Sequence, residues 1–149
     1  QLSALSITSV WVILGLCICV SPFFWKPIFA RFDDGAPLSF ILIAIAVGTC
    51  IPVLFPSFMG LIVSAVIFGL SVFMAPGAIT NFTRKNLHEN NWAYSISVFT
   101  TIFALAQTIG PFAAGVLGDW LENIGASLLI ASIVMMIGAF FAYLQKGMR

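Results

Sequence analysis

At 149 residues, 61% hydrophobic and only 7% charged, the chain has too little charge to solvate the surface of a water-soluble domain; such a domain is roughly half apolar and about a quarter charged. Mean hydropathy is +1.12 and formal net charge +1, so the solvent that fits this surface is lipid and no nucleic-acid partner is expected. A transmembrane β-barrel is excluded, because its strands alternate apolar and polar residues over about ten positions and the apolar runs here are continuous.

About 20 apolar residues of helix cross a bilayer core. Five stretches qualify: Ser3–Phe24, Pro37–Leu54, Ser57–Ile79, Trp92–Leu117 and Ala126–Leu144. The predicted fold is an all-α integral membrane protein, one polytopic bundle of five transmembrane helices. Gln1 is not an initiator methionine, so the chain is expected to begin inside a longer protein. No cleavable signal peptide fits, since no basic residue precedes the first apolar stretch and that stretch is too long.

The first span holds Trp11, a candidate for lining a substrate cavity, and closes near Pro22. Proline lacks an N–H and pushes away the carbonyl four residues back. Pro22 would therefore free the carbonyl of Ile18, and it is a kink and gating candidate. Cys17 and Cys19 here, and Cys50 in the second span, form no C-x-x-C pair and read as apolar side chains rather than metal ligands or disulfides. No metal and no cofactor are expected. The second span, "FILIAIAVGTCIPVL", has the composition of a lipid-facing support.

The third span adds Ser71 to the cavity candidates and carries "FMAPGAITN", in which Pro76 would free the carbonyl of Val72. Pro76 and Gly77 lie near its end, where a gate would sit. The connection "NFTRKNLHENNW" contains the sequon Asn81-Phe82-Thr83, whose expected cytoplasmic position argues against glycosylation, and His88, read as a solvated loop histidine.

The fourth span is divided by face. Ala106, Gly110, Ala114 and Gly118 recur every four residues, a ladder of small side chains against which a helix backbone packs closely. Ser97, Thr100, Thr101, Gln107 and Thr108 form a broader polar stripe. Pro111, following Gly110, frees the carbonyl of Gln107, so that residue's main-chain oxygen and side-chain amide both need partners near mid-membrane. Such groups face a bundle or a wet cavity rather than lipid. Gln107, Thr100 and Thr101 are thus cavity candidates, and Gly110 and Pro111 kink candidates; a plain interhelical hydrogen bond is the competing role for Gln107. The fifth span, "LLIASIVMMIGAFFAYL", reads as another support.

All six basic residues fall on one side. Lys26 and Arg31 follow the first span, Arg84 and Lys85 the third, Lys146 and Arg149 the fifth, and the connections at Phe55-Pro56 and "GDWLENIG" have none. By the positive-inside rule that side is cytoplasmic, which puts the N-terminus of the segment outside and its C-terminus inside. An odd number of spans removed upstream would account for this topology.

Two connections echo one another. "PFFWKPIFARFDDGAPL" aligns with "PFAAGVLGDWLENIGASL" with one gap, pairing Asp33 with Glu122 and Gly35-Ala36 with Gly125-Ala126. The copies lie on opposite sides, as in the inverted repeats of secondary transporters. On these residues the chain resembles the C-terminal part, spans eight to twelve, of a major facilitator superfamily transporter, nearest to sugar and drug efflux permease branches. "RFDDG", with Arg31, Asp33, Asp34 and Gly35, is similar to a degenerate copy of the family's cytoplasmic loop signature G-x-x-x-D-R-x-G-R; it lacks the opening glycine, reverses Arg and Asp, and has no second arginine after Gly35. "QTIGPFAAGVLGD" resembles the family's eleventh span. The resemblance implies peripheral ninth and twelfth spans, a pore-lining tenth, and an eighth and eleventh that shape the pore.

No ionisable residue lies deep in any span and no phosphate-binding G-x-x-x-x-G-K-[ST] occurs, so neither a proton relay nor ATP drives transport from this segment. The expected function is a secondary transporter moving a small organic solute by alternating access, in efflux or proton-linked, with its N-terminal half and the lipid bilayer as partners in a cell membrane, the bacterial inner membrane. The alternative is a non-transport membrane subunit acting through packing. An enzyme is not expected, because the spans offer no Ser-His, paired Asp or His-rich set.

Overall fold

Prolines inside membrane helices must have their freed carbonyls satisfied locally, and this requirement shapes the bundle. The computed structural model describes residues 4–148. Helix α1 runs Ala4–Arg31, α2 Ala36–Leu54, α3 Phe58–Ser71, α4 Ala75–Asn86, α5 Trp92–Leu121 and α6 Ile124–Leu144, with a 3-10 turn at Glu89–Asn91 before α5. No strand occurs among the described residues. Taking α3 and α4 as one interrupted segment, five helical segments are long and apolar enough to cross a membrane. The fold is an all-helical, multi-pass membrane bundle.

Helix α1 does not stop near Phe24 but continues through Pro22 and Pro27 to Arg31. The carbonyl of Ile18, freed by Pro22, accepts a hydrogen bond from the Ser21 hydroxyl at 2.8 Å, so the kink costs no orphaned acceptor. Pro52 poses the same problem in α2 and is answered from another helix. The Ser64 hydroxyl of α3 donates to the Gly48 carbonyl at 2.7 Å, and Gly48 lies so close to Phe68 that a Cβ there would sit 3.0 Å from the Phe68 backbone nitrogen.

The expected bend at Pro76 is a break. The chain turns over residues 72–74 and Pro76 falls in the first turn of α4, where a missing N–H is no loss. The Met74 amide donates to Ser71 rather than one residue further back, and the Leu70 carbonyl accepts instead from Trp25 Nε1 of α1 at 2.6 Å. Helix α4 then runs to Asn86, through residues expected in a loop. The sequon is inside it: Asn81 donates to the Phe29 carbonyl at 3.3 Å and Thr83 is fully buried.

Trp25, Ile41, Ile45 and Ala78 form the core, with Phe29, Phe68, Met74 and Met135 packed around them. Helix α2 lies at its centre, against α3, α4 and α6, and buries Ile41, Ile45, Ala46 and Gly48. That corrects the reading of α2 as mere support. Lipid tails are as apolar as leucine, so an apolar sequence in a membrane does not tell a helix-facing side from a lipid-facing one. The far side of α2 does pair with α6 around an open apolar groove lined by Val47, Ile51, Ile133 and Ile137.

Both ends of the bundle are identifiable. Gly35 N–H donates to the Gln145 carbonyl at 2.9 Å, which ties the α1–α2 connection to the end of α6. Gly125 lies against Val53, which puts the α5–α6 connection at the opposite end, beside the last turn of α2. The two echoing connections therefore point opposite ways. Their register differs from the sequence alignment, however: Gly35 caps α2, whereas Gly125 lies inside α6, whose cap is Asn123. In space Asn123, not Gly125, occupies the place of Gly35.

Candidate functional site

The α1, α4 and α5 surfaces form two adjoining concavities that carry polar side chains among apolar ones. An open groove of about 710 Å³ between α1 and α4 is lined by Pro22, Phe23, Lys26, Pro76, Gly77 and Thr80, among others. A smaller cavity between α4 and α5 is lined by Pro76, Ile79, Thr80, Ile96, Thr100 and Phe103. Pro76 and Thr80 border both, so the two concavities adjoin across one turn of α4. Of the residues singled out in the sequence, Pro22, Pro76, Gly77 and Thr100 are brought together here.

Helical spacing places the missed residues. Lys26 follows Pro22 by four residues and Thr80 follows Pro76 by four, so each shares a helix face with its proline. Lys26 is the one charged side chain lining the groove. Asn81 lines it too and is anchored on the Phe29 carbonyl. The signal that would have found them was the four-residue spacing from the prolines. Weight on uncharged stretches hid Lys26, and reading Asn81 as loop hid its helical partner Thr80.

The other candidates lie elsewhere. Trp11 is 67% exposed on α1 and Ser71 is 2% exposed at the end of α3, and neither lines either concavity. Thr100 and Thr101 donate their hydroxyls to the carbonyls of Ile96 and Ser97, at 2.8 and 2.9 Å, which leaves them only acceptor capacity for a ligand. Gln107 is exposed, as are Gly110 and Pro111. No side chain among the described residues donates to the carbonyl that Pro111 frees at Gln107; the neighbouring Thr108 hydroxyl goes to Ala104 at 3.0 Å.

Helix α5 touches α4 at one end and α6 at the other. Phe103 meets α4 residues around the small cavity, and a Cβ on Gly118 would lie 3.7 Å from Ser127 Oγ of α6. Gln107, Gly110 and Ala114 share that face by helical periodicity. Yet a Cβ at Gly110 meets nothing within 4 Å. The small-residue ladder is thus engaged at Gly118 and open at its middle.

The loop residues form a tight junction at the basic end. Lys85 Nζ donates to the carbonyls of Phe29, Ala30 and Phe32 at 2.7, 3.2 and 3.0 Å and pairs with Asp33 at 2.7 Å. Asn86 donates to the Asp33 carbonyl and accepts from Met148 N–H, both at 2.7 Å. Just before α2, Asp34 Oδ1 accepts from Ala36 N–H at 3.0 Å. Gly35 is required by close approach: a Cβ would collide with the Ala142 carbonyl and sit 2.8 Å from Gln145 Cβ. Arg31 stacks 5.9 Å from the centre of the Phe32 ring. Lys85 and Asn86, which hold this junction, were not singled out in the sequence.

No curated protein and no solved structure matches the chain. A protein-family model does, over residues 2–143, and its description is "Uncharacterised MFS-type transporter YbfB". A match over nearly the whole length, on a bundle of five segments long and apolar enough to cross a membrane, places the chain in that family of major facilitator superfamily transporters.

Proposed function

We propose that the chain is the C-terminal part, spans eight to twelve, of a non-enzymatic secondary carrier that moves a small organic solute by alternating access. Efflux or proton linkage of that movement belongs to the same reading. The observation that carries it is the groove shared by α1, α4 and α5, where Pro22, Pro76 and Gly77 lie beside the polar Thr80 and Asn81. A carrier needs polar groups and bendable helices on the same surface, and this is where the bundle combines them. The open middle of α5, from Gln107 to Ala114, supports a companion N-terminal half packing there.

The test is transport by the full-length protein in proteoliposomes, screened for solutes. Thr80→Val keeps shape and removes a hydroxyl, and is expected to weaken solute affinity by about 0.5–1.5 kcal/mol, the usual worth of one hydrogen bond. Thr100→Val should change it less, because that hydroxyl is bonded within its own helix. Gln107→Leu read in the same assay separates a cavity role from a packing role, the latter leaving affinity per folded molecule intact. If no variant of the groove alters transport while the protein carries solute, the site is wrong.

The bacterial inner membrane is the proposed location, with the basic end in the cytoplasm. A cysteine placed between Gly118 and Gly125 should react with an impermeant reagent added outside, and one in the 84–90 stretch should not. Reversed labelling would overturn the orientation.

A further inference from the structure

On the side of α4 away from the α1–α4 groove is a further cavity, of about 490 Å³, which shares Ile79 and Phe99 with the small α4–α5 cavity and Phe141 with the α2–α6 groove. It lies at the basic end between α4, α5, α6 and the start of α2. Its walls are mainly apolar, with Leu38, Phe82, Phe99 and Phe141, and its polar members include Asp34 and Thr83. The two concavities use opposite sides of α4, with Ala78, Phe82 and Thr83 on this one and Gly77, Thr80 and Asn81 on the other.

We propose that this cavity binds an amphipathic cation, an ammonium group on an apolar body, with Asp34 as its counter-ion. Asp34 is half-buried, and among the described residues it accepts one hydrogen bond, from Ala36 N–H, with no basic side chain paired to it. Lys85 is committed to Asp33 and three carbonyls instead. A carboxylate in an apolar setting without a counter-ion is costly, and a cation of matching shape relieves that cost. The second observation is independent. Thr83, on the cavity wall, is 0% exposed and its Oγ1 has no hydrogen-bond partner, although buried hydroxyls are nearly always satisfied. An ammonium has donors to spare for both oxygens. The volume suits a small amphiphile.

The experiment uses the full-length protein in phosphatidylcholine nanodiscs and a decylamine carrying a photoreactive diazirine on its chain, compared with its uncharged N-acetyl form. The amine is expected to label peptides containing Leu38 or Phe82, which line this cavity and neither of its neighbours, at roughly a tenth of the concentration the acetyl form needs, the scale of one partly screened charge contact. Asp34→Asn keeps an acceptor for Ala36 N–H and should remove that preference. Equal labelling by the two probes in the unaltered protein overturns the proposal, and this comparison needs no variant to fold. So does a preference that survives Asp34→Asn, or labelling confined to Val47, Ile133 and Ile137 in the open α2–α6 groove. None of these outcomes bears on transport through the α1–α4 groove.

Discussion

Lys85→Met is expected to destabilise the folded protein by about 2–3 kcal/mol, whereas Asp33→Asn should cost less than about 1 kcal/mol. The two residues form one ion pair, so the difference separates two roles for the lysine. Asp33 is 63% exposed on its side chain, and a pair so open to water gains little from its Coulomb attraction. The carbonyls of Phe29, Ala30 and Phe32 are another matter. Those of Phe29 and Ala30 lie in the last turn of α1, where carbonyls have no partner in their own helix, that of Phe32 lies just beyond it, and Lys85 donates to all three. Hydrogen bonds to a charged group are worth about 1.5–3 kcal/mol each, but the Lys85 side chain is itself 25% exposed and water replaces part of what is lost. Methionine keeps the apolar stem in place, which isolates the ammonium. Thermal unfolding of the full-length protein in detergent reads both variants. Equal losses would mean that the ion pair, not the capping of α1, holds the junction.

The spans and their number were legible because a membrane helix declares itself by length and apolarity alone. Their ends were less so. Pro22 reads in sequence as a kink just before the span's expected end at Phe24, and the Ser21 hydroxyl on the freed carbonyl of Ile18 shows how α1 passes through it and on to Arg31. At Pro76 the opposite happened. The span breaks there because Trp25, distant in sequence, takes the carbonyl of Leu70, and no local pattern announces a partner from another helix. The polar last turns of α4 read as loop because Asn81, Arg84, Lys85 and Asn86 are solvated residues in most settings; here Asn81, Lys85 and Asn86 are spent on backbone carbonyls of α1 and the α1–α2 connection.

The candidate groove was half legible for a related reason. Proline and glycine mark where a membrane helix bends, and Pro22, Pro76 and Gly77 do meet in one groove. The polar stripe on α5 was a weaker guide, since Thr100, Thr101 and Thr108 each turn a hydroxyl back onto their own helix. Polarity in a span therefore divides into groups that serve the local backbone and groups left over. In α5 the remainder is Gln107, and in α4 it is Thr80.

Trp25→Phe should loosen the α3–α4 break without unfolding the bundle. The indole is 3% exposed and stacks on Phe29 with ring centres 6.3 Å apart, so phenylalanine preserves most of the apolar contact and removes the donor. The Leu70 carbonyl is then left unpaired in an apolar interior, at a cost of about 1–3 kcal/mol. Trp25→Ala adds a cavity and should cost about 3–5 kcal/mol, which tests the core rather than the break. Helix α1 holds this segment in two regions, at the break through Trp25 on the Leu70 carbonyl of α3 and further along α4 through Asn81 and Lys85. Removing the first hold while keeping the second leaves α4 attached at its basic end and free to pivot near residues 72–74. Hydrogen exchange on the full-length protein should accordingly rise over residues 72–78 in Trp25→Phe and stay unchanged over α3 before Gly69 and over residues 82–86. A uniform rise across α3 and α4 would show that Trp25 stabilises the whole segment, and the break would then be no hinge. If the local rise is found, transport should change in rate more than in solute affinity, because Trp25 does not line the groove and acts only on how readily α4 moves.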